Sequence, residues 1–151
     1  MSSDDLRALY QEVILTHSRQ PDGRGIVDGW THRAREVNPL CGDEIDLAVN
    51  VEGGVIRSIT WEGHGCAISQ ASASLLTGLL EGATVTDAHD LVERFRTALR
   101  SRGEIELDEE HFGEAVALGG VSRYVARIKC AMLAWVTLEN ALAGTTEPLP
   151  T

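Results

Sequence analysis

The chain has 151 residues, 43% of them hydrophobic and 24% charged, a balance that suits a single domain over 1–151 and excludes wholesale disorder. Against 23 Asp+Glu stand only 13 Lys+Arg, a net charge of −10. With no basic surplus to neutralise phosphates, neither nucleic acid nor an anionic membrane surface is an expected partner. The apolar runs fall far short of the ~20 residues that span a bilayer. The start, Met1-Ser2-Ser3-Asp4-Asp5, lacks the basic and apolar segments of a secretory signal, so a cytoplasmic location is expected.

In chain order, Leu6, Leu9, Tyr10, Val13 and Ile14 recur at helical spacing and predict an amphipathic helix over 4–17. Pro21, Gly23, Gly25 and Gly29 make 18–29 a long loop, with Trp30 expected to plug its end into the core. Strands are predicted over 32–37, 43–52 and 55–62. In the second, Ile45, Leu47, Val49 and Val51 share a face; in the third, Val55, Ile59 and Trp61 do. Gly53-Gly54 is the hairpin turn between them. Helices are predicted over 67–80 and 87–100, the latter capped by Thr86 or Asp87 and striped by Leu91, Val92, Phe95 and Leu99. Residues 104–120 read as an irregular arm with a short helix near 108–118. The longest helix follows over 122–143, then a frayed tail at 145–151. A helix, then an antiparallel meander, then helices argues an α+β fold.

Three cysteines, Cys41, Cys66 and Cys130, are too few and too scattered for a disulfide framework. Cys41 lies in Asn38-Pro39-Leu40-Cys41-Gly42-Asp43, a turn between two strands. In extended backbone Cys41 and Asp43 point to the same side. Cys66 follows Gly63-His64-Gly65 at a helix start, where unpaired N–H groups and the helix dipole favour a thiolate. Cys130 sits on the last helix. A strand-end loop, a helix start and a helix side could thus converge, and three Cys with one Asp would make a four-ligand tetrahedral zinc site. Soft thiolates equally suit iron–sulfur chemistry. The spacing holds no C-x-x-C knuckle, so buried core thiols remain an alternative for Cys66 and Cys130.

The contexts of the cysteines are more specific than their spacing. Asn38-Pro-Leu-Cys-Gly-Asp43, Gly63-His-Gly-Cys-Ala-Ile-Ser-Gln-Ala-Ser72 and Arg127-Ile-Lys-Cys-Ala-Met-Leu133 together resemble the IscU/NifU-type iron–sulfur assembly family. More narrowly they resemble its SufU branch of zinc-dependent sulfurtransferases. The scaffold branch carries a Leu-Pro-Pro-Val-Lys segment and a His directly before the third cysteine. Here neither is present, and Lys129 precedes Cys130. An extra arm at about 103–123 also marks the SufU branch. The resemblance implies an IscU-like fold with a three-stranded antiparallel sheet packed on helices, an N-terminal helix and a long C-terminal one. It implies Zn²⁺ held by Cys41, Asp43, Cys66 and Cys130, with Cys41 the sulfur acceptor. The implied partners are a SufS-type, pyridoxal-phosphate cysteine desulfurase and downstream SUF assembly proteins. In the family, a His of the desulfurase takes the place of this cysteine on zinc and frees its thiolate. An iron–sulfur scaffold of the IscU type is the alternative function.

Other residues have plainer readings beside the functional ones. Asp43 could be a turn-capping carboxylate, and Cys41 a ligand that never reacts. Gly42 would let Cys41 swing while Asp43 stays. His64 could serve as a ligand, as a hydrogen-bond donor to a ligand, or as a turn residue. Arg127 and Lys129 flank Cys130 and could dock the partner or hold anionic sulfur, or be ordinary solvated charge. His17, His32, His89 and His111 have no supporting context and are expected at the surface. The acidic run Asp108-Glu109-Glu110 reads as a solvated face.

Overall fold

A computed structural model describes residues 3–39 and 42–144. Its elements run α1 (Ser3–Arg19), β1 (His32–Asn38), β2 (Asp43–Glu52), β3 (Val55–His64), α2 (Ala67–Leu80), α3 (Val85–Arg100), α4 (Glu109–Phe112), a 3₁₀ segment (Gly113–Arg123) and α5 (Val125–Ala143). This is the expected α+β order. The expected tail at 145–151 lies outside the described residues. Among the described residues no helix is long and apolar enough to cross a membrane.

The strands form one antiparallel sheet in the order β1-β2-β3. Gly53 and Gly54 turn the second hairpin with φ of 59° and 77°, the pair of positive values that a tight twisted hairpin needs. The strand faces depart from simple alternation at one place. Asn50 pairs with Ser58 but Val51 pairs with Ile56, so Arg57 is a bulge residue that resets the parity of β3. Ile56, not the predicted Val55, therefore joins Ile59 and Trp61 in the core. The outer edge of β3 is met by the preceding loop. Trp61 N–H donates to Gly23 O at 2.9 Å, and Gly25 N–H donates to Trp61 O at 2.7 Å.

Helices α2 and α5 cover one face of the sheet, against Leu47, Val49, Ile56, Ile59 and Trp61. The other face is polar: Arg33 forks onto Asp46 at 2.9 and 2.7 Å, and Arg35 pairs with Glu44. Trp30 corrects its expectation. It is only half-buried, lying under the Arg33 guanidinium at 5.4 Å, and the large buried rings are Trp61, Trp135 and Phe95. Helix α2 is lined by Ala71-Ser72-Ala73-Ser74, all buried, and such small side chains let α1 and α5 approach it closely on two sides. His17, expected at the surface, is instead part of that contact. Its Nδ1 lies 2.7 Å from Ser74 Oγ and its Nε2 3.3 Å from Glu114. The ring thus joins α1 to α2 and to the 3₁₀ segment.

Helix α3 starts two residues before its predicted boundary, because Thr84 Oγ1 accepts from Asp87 N–H at 3.1 Å and caps it. The arm holds a four-residue α-helix and then eleven residues of 3₁₀ helix, where one short α-helix was expected. The apolar residues explain this winding. Phe112, Ala115, Leu118 and Val121 are all buried and recur every third position, the period that a 3₁₀ helix stacks in line. Ser122 and Arg123 belong to that segment, so α5 begins at Val125. Phe95 stacks on Trp135 with centroids 3.9 Å apart, and Phe112 closes the aromatic group at 6.4 Å from Trp135.

Candidate metal centre

Three elements end or pass at one corner of the sheet. Asp43 is the first residue of β2 and pairs with Asn38, the last of β1. Next to it, β3 ends at His64, and the chain turns through Gly65 into Cys66, the residue that precedes α2. Two glycines allow that approach. A Cβ on Gly63 would lie 2.2 Å from Glu44 O, and one on Gly65 would lie 2.4 Å from Asp43 Oδ1 and 2.5 Å from Ser69 Oγ. Neither space admits a side chain. The third element, α5, presents Cys130 from its second turn.

Together these elements gather a carboxylate and two thiols. One ligand atom each from Asp43, Cys66 and Cys130 lies within 4.8 Å of the others. Asp43 and Cys130 are each only 1% exposed, and Cys66 is half-buried. Cys66 N–H donates to Asp43 Oδ1 at 2.9 Å, while Cys66 Sγ stands 3.7 Å from Oδ2. The backbone therefore holds one carboxylate oxygen, and the other lies beside the Cys66 sulfur. Ser69 Oγ donates to Cys66 O at 3.0 Å and fixes the turn. In a tetrahedral zinc site, neighbouring sulfur and oxygen ligands stand about 3.5 Å apart and two sulfurs about 3.8 Å apart. The 3.7 Å between Cys66 Sγ and Asp43 Oδ2, the burial of Asp43 and Cys130 and the two thiol donors suit such an ion, so the group could hold a metal.

The remaining candidates fall as follows. Cys41 lies outside the described residues. Beside it, Gly42 N–H donates to Asn38 O at 2.8 Å, and Gly42 has φ of 74°. The His64 side chain is 73% exposed and reaches Glu44 at 3.6 Å; it is not brought into the Asp43–Cys66–Cys130 group. Arg127 and Lys129 are exposed and have no ion-pair partner among the described residues. His32 bonds Thr31 and is half-buried, while His89 and His111 are exposed as expected. Sequence reasoning passed over Gly65 and Ser69. Their signal was positional: a glycine directly before a helix-opening cysteine, and a hydroxyl one turn later.

A match to the family described as "NifU-like N terminal domain" spans residues 9–143. The chain belongs to that family, whose members serve iron–sulfur cluster assembly. It is 35% identical over 140 residues to the zinc-dependent sulfurtransferase SufU of Bacillus subtilis, covering 92% of each chain. It is 38% identical over 142 residues to the iron–sulfur cluster assembly scaffold protein IscU of Thermotoga maritima, covering 94% of this chain and 98% of that one. A solved structure from Fervidobacterium islandicum, described as a putative iron–sulfur cluster assembly scaffold protein for the SUF system, superposes with a TM-score of 0.81. It is 32% identical and is matched over 90% of this chain and 98% of its own.

Proposed function

We propose that the protein is a zinc-dependent sulfurtransferase that takes persulfide sulfur from a pyridoxal-phosphate cysteine desulfurase onto Cys41 and passes it to SUF cluster assembly. Asp43, Cys66 and Cys130 would hold Zn²⁺ together with Cys41. The ion would supply a charge that keeps nearby thiols deprotonated near neutral pH. The observation that carries this reading is the buried carboxylate–dithiol group two residues from Cys41. Along the chain Cys41 is tethered within about 7 Å of Asp43, Cα to Cα. The Cys41 thiolate attacks the outer sulfur of the partner's persulfide. A new S–S bond forms on Cys41, the partner's S–S bond breaks, and its cysteine leaves as thiolate. Sulfane sulfur moves with no net oxidation. Arg127 and Lys129, exposed and without ion-pair partners among the described residues, are available to a docking partner or to the anionic sulfur. His64, paired with Glu44 at 3.6 Å, stands outside the Asp43–Cys66–Cys130 group.

The likeness to the Thermotoga scaffold favours a second reading, in which the same cysteines carry a nascent iron–sulfur cluster. Lys129 in place of a His before Cys130 weighs against it, since it removes a candidate cluster ligand. The test is alanine production by a SufS-type desulfurase given cysteine and reductant, with the zinc-loaded protein or its Cys41→Ala variant added. A rate increase that the variant abolishes supports the shuttle. No increase, or one the variant retains, overturns it; a reconstituted cluster delivered to an apo-acceptor would then favour the scaffold.

A further inference from the structure

Cys66 caps the start of α2 and Cys130 lies on α5, so the distance between their sulfurs depends on the register of α2 against α5. Apolar packing between helices is non-directional. Hydrogen bonds are directional, and one pair of them joins these two helices close to both cysteines. Ser72 Oγ, fully buried on α2, donates to the carbonyl of Ala131 at 2.6 Å and accepts from Trp135 Nε1–H at 2.9 Å. Ala131 is the residue after Cys130. Ser72 lies less than two turns beyond Cys66. Trp135 is itself held by its stack on Phe95 of α3, at 3.9 Å and 5° between planes.

We propose that Ser72 and Trp135 are positioning residues for the metal centre, locking α2 and α5 in the register that sets the Cys66–Cys130 sulfur spacing. The proposal rests on the metal-binding reading above. Both bonds end on one hydroxyl, one from each side of a turn of α5. A shift of α5 by one residue in register advances it about 1.5 Å and turns it by about 100°, which carries Ala131 O and Trp135 Nε1 out of line with the Ser72 hydroxyl. Such a shift would break one bond or both. Metal ligands tolerate still less error, because the supporting groups around a ligand set govern its affinity.

The test loads the full chain with Co²⁺ alone, as a spectroscopic stand-in for Zn²⁺, and measures Zn²⁺ affinity by chelator competition. The variants are Ser72→Ala, Trp135→Phe and, as a core control off this link, Thr137→Val. Thr137 is buried on α5 and, among the described residues, its hydroxyl bonds only within that helix, to Leu133 O at 2.7 Å. The expected result is about 10–100-fold weaker metal binding and shifted ligand-field bands in Ser72→Ala and Trp135→Phe. Thr137→Val should lose stability yet keep the wild-type spectrum. If Ser72→Ala does not fold, Trp135→Phe carries the test, since it keeps the hydroxyl and most of the ring. Variants that melt earlier but bind with wild-type affinity and spectrum would overturn the proposal. A wild-type chain that takes up Co²⁺ without thiolate charge-transfer bands would overturn the metal reading itself, and the positioning role with it.

Discussion

Replacing Gly65 by alanine tests whether the Asp43 cradle is built by close approach. Gly65 does not have a positive φ, so alanine suits its backbone and the effect is steric. The new methyl would sit 2.4 Å from Asp43 Oδ1, 2.5 Å from Ser69 Oγ and 2.8 Å from Asp43 Cγ. Ordinary contact begins near 3.4 Å, so the carboxylate must retreat by about 1 Å. The Cys66 N–H···Oδ1 bond, now 2.9 Å, would then stretch out of hydrogen-bond range. Losing a charge-assisted bond costs about 1.5–3 kcal/mol, and overpacking a tight site about 1–3 kcal/mol. Relaxation makes the two less than additive, and about 3 kcal/mol is expected. For a chain of this size that lowers Tm by roughly 6–12 °C. Zn²⁺ affinity should fall about 10–100-fold, because the remaining carboxylate oxygen is no longer held beside the Cys66 sulfur. Thermal melts of the metal-free protein and chelator competition read the two effects separately. An alanine variant with unchanged melting and unchanged Zn²⁺ affinity would refute the cradle.

Gly42 makes the opposite case: its φ is 74° and, among the described residues, nothing lies within 4 Å of an added Cβ. Gly42→Ala should cost about 1 kcal/mol of backbone strain in a urea melt while leaving Zn²⁺ affinity unchanged. Removing the α3 cap with Thr84→Ala leaves Asp87 N–H without its 3.1 Å acceptor and should destabilise by about 1 kcal/mol, seen as faster hydrogen exchange in the first turn of α3. Arg96 forks onto Glu139 of α5 at 2.6 and 3.2 Å and reaches Glu93 at 2.7 Å. Its hydrogen bond to Glu139 raises its already high pKa, so the guanidinium stays protonated at any working pH. Arg96→Lys keeps the charge but loses the fork, and should lower unfolding free energy by about 1 kcal/mol in denaturant titrations.

Periodicity carried most of the fold. The alternation of Ile45, Leu47, Val49 and Val51 and the helical stripes of α1 and α3 are local patterns, and each element formed where its pattern lay. The misreadings arose where a tertiary partner overrode the local pattern. The bulge at Arg57 is set by pairing across to Asn50 and Val51, and no feature of 55–62 alone announces it. His17 gains its buried role from Ser74 and Glu114, both remote in sequence. The 3₁₀ segment was visible in principle, since Phe112, Ala115, Leu118 and Val121 repeat every three residues. At the site, Asp43, Cys66 and Cys130 were legible because few residue types bind metal. Gly65, Ser69 and Ser72 carry no such chemistry, and their parts became apparent only from their distances to Asp43, Cys66 and Ala131.

The loop that reaches Trp61 has a bearing on the protein's life at high concentration. Strands β2 and β3 are rich in Val and Ile and free of proline, a composition that stacks readily into intermolecular sheets. A stray strand needs an open flank to add to. On the β3 flank, the backbone of Gly23 and Gly25 already occupies both polar groups of Trp61, and the Arg24–Glu62 pair at 3.2 Å stands over the same edge. On the β1 flank the deterrent is charge, from Arg33, Arg35 and Glu36. The sheet thus defends its β3 border chiefly with its own backbone and its β1 border with charge, so salt should weaken the second more than the first, making aggregation through β1 the route that opens first as ionic strength rises.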